Sequence, residues 1–102
     1  MSVTERVDSG IPMPLIAGIR AVDAQNRIVE VTWADGIRRG RTDLVNLSSV
    51  IDTHKFYRPL RNDPALFDTI HVVEDGEAIG WADDVIDMSA DSIERLAVAG
   101  DP

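Results

Sequence analysis

The stretch Ile28–Trp33 constrains this chain more than any other. Val29, Val31 and Trp33 alternate with Glu30 and Thr32, the two-residue period of a half-buried strand. Two residues further on, Asp35-Gly36 is a pair suited to the positive φ of a tight hairpin. Such a ribbon needs partners on both sides and cover for one face. Pro14–Val22 supplies a preceding strand, with Leu15, Ala17, Ile19 and Ala21 on one face and Ile16 and Val22 on the other, and Asp23–Asn26 has the composition of a turn. The returning strand is predicted over Ile37–Leu44, with Arg39 and Arg41 on the face of Ile37 and Arg38 and Thr42 on the opposite one. A strand so charged belongs at a sheet edge, where charge discourages further pairing.

Leu44, Leu47, Val50 and Ile51 recur at helical spacing and predict a short helix. Phe56–Leu60 reads as a connector that places its aromatic rings beneath the sheet. Asp63-Pro64 starts a second short helix, because Asp accepts free amide hydrogens and Pro at the first helical position loses no bond. Ile70–Val73 and Ala78–Trp81 read as strands around the turn Glu74–Glu77, and Asp83-Asp84 turns the chain again before Val85-Ile86. Ser89 caps a last helix with Ile93, Leu96 and Ala97 on its apolar stripe and Gly100 just past its end. Strands joined without long crossovers predict a small, mostly antiparallel α+β domain with two or three short helices. The expected organisation is an arm over 1–13, one domain over 14–98 and a tail over 99–102.

The length of 102 residues suits one domain, and 44% hydrophobic with 27% charged residues is ordinary globular composition. With no cysteine there is neither a disulfide framework nor a thiolate metal site, which fits a reducing cytoplasm. No apolar run is long enough to span a bilayer, and the first residues lack the pattern of a signal peptide, so membrane association is not expected. The net charge of −8 is uneven. Residues 27–61 carry seven Lys and Arg against four acids, whereas residues 62–102 carry only Arg95 against eleven. A field of that overall sign repels nucleic acid unless the basic segment forms a local patch.

Candidate chemistry is thin. Ser48, Ser49, Asp52 and His54 cluster in sequence, but no glycine-rich nucleophile turn surrounds either serine, and proximity alone does not align a triad. His71 reads as a sheet histidine. Glu74, Asp75, Glu77, Asp83, Asp84 and Asp87 are oxygen ligands in type, yet their spacing matches no calcium loop and solvated turns are the plainer reading. No catalytic residue, metal ligand or cofactor is therefore assigned. The candidate interaction surface is Arg38, Arg39 and Arg41 with Asp83 and Asp84. Trp33 and Trp81 are either anchors for a partner or core, and the face Trp33 shares with Val29 and Val31 favours core.

Several linked pieces, in order, carry a resemblance. They are Val29–Gly36, Asp43-Leu44, Phe56–Leu60, Asp63–Phe67, Gly76–Trp81 and the acidic segment before Ser89, together covering about residues 14–97. In this pattern the chain resembles the bacterial family known as domain of unknown function 2442. The resemblance implies a small α+β domain like the N-terminal half of some two-domain proteins in which a helix-turn-helix domain follows. This chain ends at Pro102, so no such reader is expected here. Other members of the family stand alone, sometimes encoded beside another small protein in toxin–antitoxin-like arrangements, and the family brings no established catalytic residues. Positions 38–42 are more basic here than the corresponding strand of the family.

Two readings follow. One is a non-enzymatic protein-interaction or regulatory module whose partner is another protein or a second copy of the chain. The other is a small-molecule binder or cryptic enzyme with a pocket between the sheet and residues 56–67. Direct nucleic-acid binding through Arg38, Arg39 and Arg41 is a weaker third.

Overall fold

A computed structural model describes residues 12–101 of the chain. It is an α+β domain of two antiparallel three-stranded sheets and short helices. The first sheet has the order β1 (Leu15–Asp23), β2 (Ile28–Asp35), β3 (Thr42–Asn46). Then come α1 (Ser48–Thr53), a 3₁₀ segment Lys55–Leu60 and α2 (Pro64–Phe67). The second sheet has the order β4 (His71–Val73), β5 (Ala78–Trp81), β6 (Ile86–Ser89), and α3 (Ala90–Ala99) follows directly.

Val29, Val31 and Trp33 do share the buried face of β2. The face assignment on β1 is corrected. Ile16 pairs with Trp33 and Gly18 with Thr32, so Ala17 is an extra residue, a β-bulge that shifts the alternation by one. Beyond it Ile19 lies opposite Val31 and Ala21 opposite Val29, which puts Ile16, Ile19 and Ala21 together over the core while Ala17 is exposed.

The returning strand is also corrected. Thr42–Asn46 pairs with Ile28–Thr32, and residues 36–40 form a loop rather than a strand. Trp33 N donates to Arg41 O at 3.0 Å and Gly40 N to Trp33 O at 3.0 Å, so the ribbon closes there and not at Asp35-Gly36. Gly36 and Gly40, both at positive φ, let the loop fold back. Leu44 consequently lies on β3 and is 68% exposed, and the helix begins only at Ser48. Leu47 and Ile51 are the core residues of that short stretch.

One cluster of buried side chains joins both sheets and all three helices. Every residue of β5 is buried, as befits the central strand of the second sheet. The turn over residues 74–76 is pressed on β1: Gly76 has φ +96°, and a β-carbon there would lie 2.7 Å from Ile16 O. Asp63 Oδ1 accepts from Leu66 N at 3.0 Å and Ser89 Oγ from Ser92 N at 3.1 Å, so both helix starts are capped as the sequence indicates. The aromatic connector divides: Tyr57 packs edge-on to Trp81 and donates to Asp87 O, whereas Phe56 is 54% exposed and not beneath the sheet. Among the described residues, no helix is long and apolar enough to cross a membrane.

Candidate functional site

The three arginines of the hairpin loop have different surroundings. Arg38 is 4% exposed, which corrects its place in the candidate interaction surface. Its Nε and Nη2 donate to the two oxygens of Asp43 at 2.7 and 3.1 Å. Its Nη1 and Nη2 donate to Asp101 at 3.0 Å each. Trp33 Nε1 donates to Asp43 Oδ2 at 2.8 Å, so Asp43 is held from two sides. The Arg38 guanidinium holds the Asp43 carboxyl below the usual carboxylate range, and Asp43 in turn raises the Arg38 pKa. This planar, bidentate pairing fixes the loop and ties Asp101 to it. Arg38 is a structural residue.

Arg39 and Arg41 remain at the surface. Arg41 is 55% exposed and lies 3.4 Å from Asp43, and Arg39 makes no ion pair among the described residues. The same loop and strand expose Ile37 at 61% and Leu44 at 68%. The hairpin loop thus exposes Ile37, Arg39 and Arg41, while Leu44 is exposed further along β3, opposite Glu30.

Asp83 and Asp84 lie in the exposed turn between β5 and β6, with Ala82 and Asp84 at positive φ. Asp84 Oδ1 meets His71 Nε2 at 2.6 Å, and Thr69 O meets His71 Nδ1 at 2.8 Å. The Thr69 carbonyl and then Asp84 raise the His71 pKa. Trp33 and Trp81 are buried, and each indole N–H is satisfied inside, by Asp43 and by Phe67 O at 3.1 Å. Neither indole is a surface anchor. Among the described residues, no three His, Asp or Glu side chains are placed to hold a metal ion.

The segment after Phe56 borders a cleft of about 170 Å³ near Leu60–Pro64 and the β1–β2 turn. Its arginines are already engaged: Arg27 binds Asp52 and Arg61 O, and Arg61 donates to Ile51 O and His54 O. It falls short of the several hundred Å³ that a typical small-molecule site occupies.

A larger cleft, about 460 Å³, lies between Pro12–Pro14 and the start of α3, and Glu77, Ser89, Asp91 and Glu94 complete its wall. Sequence reasoning missed Glu94, which is 9% exposed and whose Oε2 has no hydrogen-bond partner among the described residues. The signal was present, since Ala90, Glu94 and Ala97 follow the helical repeat on the stripe that includes Ile93.

No protein-family model matches the chain, and no curated protein or solved structure matches it significantly.

Proposed function

We propose that this chain is a non-enzymatic protein-interaction module that meets an acidic partner surface with the tip of its β2–β3 hairpin. The observation that supports this reading is the exposure of Arg39 and Arg41 in one loop with Ile37, followed by exposed Leu44 on β3. Arginine combined with apolar side chains is the composition favoured at protein interfaces. Among the described residues the flanking strand β3 pairs only with β2, which puts the patch at the sheet edge. The partner is an acidic protein or a second copy, whose residues 62–102 carry the excess of negative charge. A cytoplasmic setting suits the cysteine-free composition.

The test is association of wild type and the double variant Arg39→Glu/Arg41→Glu with the stoichiometric partner recovered from the native cell, and with itself. The reading expects slower association of the variant, with the difference greatest at low salt. Arg38 is left intact, because its loss would disturb the fold and confound the result.

A further inference from the structure

Glu94 and Gly36 are matched across the base of α3. Gly36 has φ +101°, and a β-carbon there would lie 2.9 Å from Glu94 Oε2 and 2.9 Å from Pro14 Cα. The carboxylate occupies room that any other residue at 36 would take. Yet among the described residues nothing donates to Oε2. A buried carboxylate oxygen without a donor is costly, and a cation brought to the adjacent cleft wall offsets that cost.

The other polar groups of the cleft separate into used and free. The Ser89 hydroxyl accepts from Ser92 N, and Ala90 N donates to Glu77 O at 2.8 Å, so the start of α3 offers little to a ligand. Asp91 is paired with Arg95 at 3.1 Å. The Glu77 carboxylate is exposed and makes no ion pair among the described residues. The opposite wall is apolar, made by Pro12, Met13 and Pro14. Unspent negative charge therefore faces a hydrocarbon wall across about 460 Å³.

We propose that this cleft binds an organic cation, an alkylguanidinium or alkylammonium group, with its charge toward Glu94 and Glu77 and its stem along Pro12, Met13 and Pro14. A compact metal ion suits the cleft poorly, because its carboxylates do not converge as ligands among the described residues. The shared chemistry is that of an arginine or lysine side chain and of a free small amine. The site is independent of Arg39 and Arg41.

The experiment is an amide ¹H–¹⁵N titration of the full chain with butylguanidinium, butylammonium, potassium and magnesium, and with a blocked Ala-Arg-Ala peptide. The proposal expects saturable shifts at Met13, Glu77 and residues 89–94 with the organic cations, at concentrations where potassium and magnesium produce none. Glu94→Gln keeps the side-chain shape and removes the charge, and should weaken binding about tenfold or more. Glu77→Gln, at an exposed position that cannot unfold the domain, should weaken it as well. Arg39→Glu/Arg41→Glu should leave it unchanged. Tighter binding of the peptide than of butylguanidinium identifies a protein side chain as the source, and the reverse identifies a free amine. Unsaturable shifts, equal shifts with potassium, or undiminished binding by both carboxylate variants would overturn the proposal.

Discussion

Arg38 shows how one side chain can invert the reading of a segment. By composition it belongs with Arg39 and Arg41 on a polar strand, but its partner Asp101 stands 63 positions away and no local pattern announces such a pairing. Because Arg38 and Asp43 are nearly buried, removing one leaves the other charged and unpaired. Arg38→Met should therefore cost about 3–5 kcal/mol in urea melts. Asp101→Asn should cost far less, since that side chain is 42% exposed. The pair also sets an acid limb. The Asp43 pKa is depressed in the folded chain, chiefly by Arg38, so its contribution is complete above the ordinary carboxylate value and is lost as pH falls through the depressed one. Melts across the acid range should show this slope in the wild type and a shallower one in Arg38→Met. His71 has the opposite sign: its raised pKa gives a contribution present below the ordinary imidazole value and lost as pH rises through the elevated one. An NMR titration of His71 in wild type and Asp84→Asn should show the variant's midpoint lower. Trp33 is a plainer case. Buried against Val29 and Val31, it should cost about 3–5 kcal/mol when changed to Ala.

At the scale of elements, what the sequence made legible is what depends on near neighbours. The period of Val29, Val31 and Trp33, the Asp63-Pro64 start and the Ser89 cap are local physics, and the structure has them in place. The bulge at Ala17 was not legible, because strict alternation assigns faces only while pairing stays in register. Nor was the strand at Leu44, where helical spacing and strand spacing both fit so short a run. The hairpin loop departs from a two-residue turn for a tertiary reason: it must carry Arg38 inward to Asp43 and Asp101. Gly36 is the hinge of that arrangement. Gly36→Ala places a β-carbon against Glu94 and Pro14 at a left-handed φ, and should cost at least about 1–2 kcal/mol by thermal melt.

For the whole molecule, the charge asymmetry visible in the sequence is partly consumed within the fold. Arg27 is spent on Asp52 and Arg38 on Asp43 and Asp101, which leaves Arg39 and Arg41 as the exposed cations of the hairpin tip. The candidate surface read from the sequence therefore contracts to two of its three arginines, and both tryptophans move from possible anchors to core. Exposed charges contribute little to stability, about 0–1 kcal/mol per pair, so reversing Arg39 should barely move the melt. Reversing Arg41 sets a carboxylate near the mostly buried Asp43 and should lower it. Sedimentation velocity at low and high salt, on wild type and Arg39→Glu/Arg41→Glu with the recovered partner and alone, tests the interaction reading most directly. The wild type should form a complex at low salt that is weakened in the double variant. Equal association of the two proteins at every salt concentration would contradict it and leave the hairpin tip a solvated edge.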